Sequence, residues 1–243
     1  MSRPIALLRC RRCGHMHLEA DKFCSECGMF LKDGFIDERL LLALAEERDG
    51  QNDTARQELE RLLESEPQHV LALHLLGTLY FHQGILDVAI VHYQRAVNAA
   101  PDFVLGHYDL GVAWYHRSNM PEAAQAFERC LELDPHYNAA HYRLALAYFH
   151  QGDLEKALRH FEKSTMLTPD YMMAHYHIGV IHERRGELDA AEKAFERSLE
   201  DGLGEVSSLY HLAAIRRLRG DNAGADTLLG RARQFGKGEK VIA

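Results

Sequence analysis

The chain has no run of apolar residues approaching the ~20 that a membrane-spanning helix needs, so no spanning segment is expected. The opening Met-Ser-Arg-Pro-Ile-Ala-Leu-Leu-Arg-Cys is basic, but its apolar stretch is too short for a secretory signal, and none is expected. Neither a Gly-rich phosphate loop nor a nucleophile elbow is present, which argues against an enzyme. Cysteine is scarce: four of the five lie within residues 10–27, and Cys130 stands alone. That is metal-site usage in a reducing compartment rather than a disulfide framework, and a cytoplasmic location is expected. Positive charge is short as well, with 28 Lys and Arg against 36 Asp and Glu. An excess of cations exists only in residues 1–35, which carry six against four. The acidic remainder is a poor general binder of nucleic acid or anionic membrane.

Proline is also rare, yet Pro67, Pro101, Pro135 and Pro169 follow one another at intervals of 34 residues. A fixed period of this size marks a solenoid of copied helical hairpins. With each proline at position 32, the units are 36–69, 70–103, 104–137, 138–171, 172–205 and 206–239. Position 8 is small (Ala43, Gly77, Gly111, Ala145, Gly179, Ala213), as close approach of two helices demands. Position 20 is alanine in every unit, from Ala55 to Ala225, and position 24 is large and apolar (Leu59, Tyr93, Phe127, Phe161, Phe195, Leu229). Position 15 is glycine in five units, with Ser118 the exception, and suits the left-handed residue that ends a helix. Proline then stops the second helix, because the residue before it is pushed out of the helical region.

These columns resemble the tetratricopeptide repeat, most fully in LHLLGTLYFHQGILDVAIVHYQRAVNAAP at 73–101. The resemblance runs from residue 36 to about 238 and weakens at the ends, where Leu203 replaces the proline and Arg216 the usual tyrosine. It implies an all-α, right-handed superhelical α-solenoid of about six helical hairpins spanning 35–240. In that family the first helix of each hairpin lines a concave groove through positions 2, 5, 6, 9, 12 and 13. Position 5 reads Leu40, His74, Tyr108, Tyr142, Tyr176 and Tyr210. The four tyrosines are either packing residues or a stripe of binding contacts, since tyrosine supplies area with little rotamer entropy. Arg143, His177 and His211 at position 6, with Arg184 and Arg217 at positions 13 and 12, place cations beside them. Column 5 has no lysine, so the carboxylate clamp by which some members hold chaperone tails is absent.

Histidine is plentiful, at 16, and recurs by column: His107, His141 and His175 at position 4, His82, His116 and His150 at position 13. Packed helices lie ~8–10 Å apart, whereas zinc needs nitrogens at ~2.0–2.1 Å, so a column cannot readily share one ion. The position-4 histidines are expected to be structural.

The segment CRRCGHMHLEADKFCSECG places Cys10, Cys13, Cys24 and Cys27 as two Cys-x-x-Cys-Gly turns. Two intervening residues let a tight turn aim both thiolates at one ion, and the following glycine permits the positive φ that closes it. The pattern resembles a zinc ribbon, expected over 1–34. Four thiolates leave no open position, so one structural Zn2+ is implied; the spacing does not distinguish zinc from iron. So small a module cannot bury a core of its own, and the metal would supply its stability.

The expected function is therefore a non-enzymatic scaffold or adaptor that binds a partner peptide in the groove of the repeats. The ribbon would be a second contact. The groove residues are Tyr108, Tyr142, Arg143, Tyr176, His177, Arg184, Tyr210 and His211, and no membrane or small-molecule substrate is expected. The alternative is a nucleic-acid-associated regulatory factor. There the ribbon, with Arg3, Arg9, Arg11 and Arg12 beside it, would touch the phosphates of DNA or RNA while the repeats recruit protein.

Overall fold

A computed structural model of the chain describes residues 7–9, 16–18, 52–168, 172–200 and 206–236. The strands β1 (Leu7–Arg9) and β2 (Met16–Leu18) pair antiparallel, with Leu8 opposite His17. The helices that follow are α1 (Asn52–Ser65), α2 (Val70–His82), α3 (Leu86–Ala99), α4 (Val104–His116), α5 (Met120–Leu133) and α6 (Asn138–Gln151). They continue as α7 (Leu154–Leu167), α8 (Met172–Arg184), α9 (Leu188–Arg197), α10 (Val206–Leu218) and α11 (Asn222–Gly236). Even-numbered helices open a repeat, starting at residues 70, 104, 138, 172 and 206, each 34 after the last. Residues 36–51 of the first repeat, the four ribbon cysteines and Pro169 lie outside the described residues. Among the described residues, no helix is long and apolar enough to cross a membrane.

The hairpins are closed by their backbone chemistry. At the end of each first helix, Gly84, Gly152, Gly186 and Gly220 take φ of +75 to +83°. In each case the next residue donates back to the carbonyl at position 11, as in Ile85 to Tyr80 at 2.9 Å and Asp221 to Arg216 at 3.0 Å. This is the Schellman closure, which satisfies carbonyls the helix end would leave orphaned. Ser118 makes the same turn at φ +62°, with Asn119 donating to Trp114. At the other end of the repeat, Ala100, Asp134 and Thr168 stand before prolines in extended backbone, with ψ of 88, 93 and 91°. They end α3, α5 and α7.

Packing within a hairpin is set by three columns. The position-20 alanines Ala55, Ala89, Ala123, Ala157, Ala191 and Ala225 are all fully buried, as are Phe127, Phe161 and Phe195 at position 24. Glycine at position 8 lets the two helices close over that ring: Gly77 faces Tyr93, Gly111 faces Phe127 and Gly179 faces Phe195. The helix α9 ends at Arg197, earlier than the other second helices. There the buried Ser198 hydroxyl donates to the Phe195 carbonyl, and its oxygen lies 2.7 Å from that of buried Ser208.

The chain divides into two compact units, one ending at Ala147 and the other beginning at Tyr148. In the first, α2–α5 pack as successive hairpins around Ala89, Ile90, Tyr93, Val97, Leu110 and Ala113. In the second, Ala191, Phe195, Leu212 and Ile215 form the corresponding cluster. Each unit carries the same ion pair between successive repeats. Arg117 binds Asp87 at 2.7 Å, and Arg219 binds Asp189 as well as Glu192. These pairs are exposed, so their contribution to stability is small.

Candidate functional site

Two of the position-4 histidines, His107 and His141, join one repeat to the next. Nε2 of His107 lies 3.1 Å from the carbonyl of Pro101, and Nε2 of His141 lies 3.0 Å from that of Pro135. The carbonyl can only accept, so this nitrogen carries the proton. Burial lowers the pKa of His107, partly offset by this bond. Cys130 is fully buried, and burial followed by Asp134 and Asp109 pushes its thiol up to about 12, which leaves it inert as a nucleophile. Among the described residues, no three His, Cys, Asp or Glu side chains converge on a point that could hold a metal ion.

In the first unit the first-helix face is built on α2, α4 and the start of α6. His74, buried against the edge of Phe103, bonds Asp109 at 2.7 Å. Tyr108 is half-buried, with its ring 5.1 Å from Tyr137 and 5.8 Å from Phe127. Tyr142 is only 8% exposed, so its ring belongs to the packing more than to the surface. Arg143 lies over the ring of Tyr115, 6.0 Å from its centroid. Burial raises the pKa of the Tyr115 phenol, against the pull of that guanidinium.

In the second unit the face is built on α8 and α10 together with Phe149 and His150. His177 stacks on Phe161 at 5.0 Å and 8°, and His211 stacks on Phe195 at 4.8 Å and 9°. Each pair joins position 6 of one repeat to position 24 of the repeat before. Burial, and to a lesser degree His150, lowers the His177 pKa to about 4, so this imidazole is neutral at physiological pH. His211 also reaches Glu183, with Nδ1 2.7 Å from the carboxylate. Tyr176 touches His177, Phe195 and His211 with its ring, while Tyr210 is 51% exposed. Arg184 sits over Phe149, 4.6 Å from the centroid. Arg217 is taken up by Asp226 at 3.0 Å.

Tyr108 and Tyr142 thus fall in the first unit with Arg143, and Tyr176 and Tyr210 in the second with His177, Arg184 and His211. One contributor escaped the sequence reading. Phe81, at position 12, meets His116 edge-on at 5.3 Å, the same pair of columns that joins Phe149 to Arg184. Aromatics at position 12 in three successive repeats (Phe81, Tyr115, Phe149) were the signal that could have found it.

Comparison with known proteins points the same way. A sequence model of the tetratricopeptide repeat matches residues 40–102, 92–138, 122–165 and 142–205. No curated protein matches the sequence significantly. Among solved structures, a crystal structure of MamA is 28% identical, with a TM-score of 0.64, over 65% of this chain and 93% of that one. PilF of Pseudomonas aeruginosa is 18% identical with a TM-score of 0.68, covering 84% of this chain and 92% of its own. YrrB, described as a TPR protein with an unusual peptide-binding site, is 18% identical with a TM-score of 0.63, over 72% of this chain and 90% of that one. At such identities the last two likenesses concern the fold alone.

Proposed function

This chain belongs to the tetratricopeptide repeat family, and we propose that it is a non-enzymatic scaffold whose first-helix groove binds a peptide segment of another protein. One observation carries this proposal. Arg143 and Arg184 lie on aromatic rings and have no carboxylate partner among the described residues. Arg117, Arg129, Arg159 and Arg219, by contrast, are each bound to an Asp or Glu of the chain. A guanidinium held over a ring and by no carboxylate of the chain retains N–H donors for an incoming carboxylate. In an otherwise acidic array, each unit thus offers one such guanidinium beside its tyrosines, which favours a peptide with acidic and aromatic side chains. Binding of a peptide by YrrB, a protein of like fold, is in keeping with this.

We further propose that residues 1–34 form a zinc ribbon in which Cys10, Cys13, Cys24 and Cys27 hold one structural Zn2+, a second contact for partners. The antiparallel pairing of β1 with β2 supports it, because these strands bracket the segment that contains Cys10 and Cys13. Four thiolates suit zinc, and the metal would supply folding energy and no reaction. Cysteines used for a metal rather than for disulfides suit a cytoplasmic location.

Capture of partners on the immobilised full chain, with mass spectrometry, would supply a peptide for binding by fluorescence polarisation. Arg143→Gln with Arg184→Gln, or Tyr176→Ala, should weaken binding about tenfold or more with helicity intact. Glu155→Ala and Glu162→Ala on the second-helix face should leave it unchanged. Loss from these two and none from the arginines or Tyr176 would place the site elsewhere.

A further inference from the structure

Away from the first-helix groove, the second helices leave a position open in repeat 3. In repeat 2, Tyr80 at position 11 stacks on His92 at position 23, at 5.6 Å and 7°. In repeat 4, Tyr148 leans on His160 at 5.9 Å and 32° in the same two columns. Repeat 3 has the chain's single tryptophan, Trp114, at position 11, but Ala126 at position 23. With no imidazole to cover the indole, the space between α3 and α5 opens into a cleft of about 560 Å³, floored by α4, with Trp114 in its lining. Trp114 is half-buried against a cluster that includes Val97, Leu110 and Ala126, and has no ring partner among the described residues. Glu122, Glu128 and Glu132 also line the cleft; Arg129 is the cation there and is bound to Glu132 at 2.7 Å.

The second unit has a smaller cleft, of about 240 Å³, in the same columns, between α9 and α11. There position 11 is Arg216, whose guanidinium reaches Glu192 at 2.9 Å. That repeat supplies its own cation to the carboxylates of its neighbour. In the first unit an indole stands where the guanidinium stands in the second, and the carboxylates outnumber the cations.

We propose that the Trp114 cleft takes a lysine or arginine side chain from a basic segment of a partner protein. The cation would lie against the indole, the strongest of the aromatic acceptors, with Glu122, Glu128 and Glu132 around it. Such a surface is distinct from the first-helix groove, so one chain could join a basic partner to an acidic one.

Trp114 is the only tryptophan, so its fluorescence reports on this cleft alone. The full chain is titrated with the amidated hexapeptide Lys-Arg-Lys-Arg-Lys-Arg. The expected result is a saturable change in emission that weakens with added salt. Glu122→Gln with Glu132→Gln should weaken binding about fivefold or more, in line with the loss of two charge contacts. Ala126→His, which copies the pairing of repeats 2 and 4, should abolish the response with circular dichroism unchanged. Arg143→Gln and Arg184→Gln should not alter it. No emission change at millimolar peptide overturns the proposal, as does a response that survives both the Glu and the Ala126 variants. Concentration-dependent emission and sedimentation without peptide would also overturn it, by assigning the cleft to a second copy of this chain.

Discussion

Gly111 faces the ring of Phe127 so closely that a Cβ on the glycine would stand 2.6 Å from Cε1. The pair holds α4 against α5, with the ring lying in the space that a methyl on the glycine would take. Gly111→Ala should therefore cost about 1–3 kcal/mol through overpacking, read as a lowered denaturant midpoint. Adding Phe127→Leu should recover part of the loss, since repeat 6 combines Ala213 with Leu229 in the same columns. A neutral Gly111→Ala would mean that the hairpin is looser than its buried ring indicates.

Ser118 is the single non-glycine residue at positive φ among the described residues. A side chain in that conformation costs about 1–2 kcal/mol, while glycine adds about 0.5–1 kcal/mol of unfolded-state freedom. Ser118→Gly should thus stabilise the chain by roughly 0.5–1 kcal/mol, a rise of about 1–4 °C in melting temperature. Ser118→Val should lower it.

His177 supplies a pH dependence. Its folded-state pKa, about 4, lies below the ordinary value of ~6.5, so the unfolded chain takes up the proton more readily. Stability from the buried neutral ring is complete above ~6.5 and falls as pH drops toward about 4, by an order of 2–3 kcal/mol. Urea unfolding at pH 7 and pH 4.5 should show this loss, and His177→Leu should shrink the difference. A proton NMR titration placing the His177 midpoint above 6 would contradict it.

Purified protein should contain one zinc per chain, lost on Cys10→Ser with Cys24→Ser. Chelation should leave the helical circular dichroism nearly unchanged, because a repeat contacts only its neighbours. Elemental analysis without zinc would refute the ribbon, and iron in its place would reassign the metal.

Backbone constraints were the legible part of this fold. Proline at position 32 and glycine at position 15 act through φ and a missing N–H, which are properties of single residues, so helix ends could be read one column at a time. Even Ser118, the departure, takes the left-handed turn that its column demands. What could not be read were contacts between columns of different repeats. His177 on Phe161 and Arg184 on Phe149 depend on how far one hairpin advances over the next. For the same reason the burial of Tyr142 was hidden, as column 5 gives it the same appearance as exposed Tyr210. The early end of α9 had a cue in Leu203, but the buried contact at that end, Ser198 with Ser208, reaches into the next repeat.

The bond from His107 to the Pro101 carbonyl makes the spacing of the repeats a mechanical tolerance. Proline ends one helix and leaves a carbonyl exposed; the imidazole that answers it sits on the second turn of the next helix, six residues on. One extra residue between Val104 and His107 would swing that ring about 100° around the helix axis, away from its acceptor. The carbonyl would then be stranded and the ring pointed into the wrong layer. Length variation is therefore admissible in the turns that close each hairpin and forbidden at the seams between them. A peptide tag or reporter should go into the Gly84 or Gly186 turn, and never between Pro101 and His107.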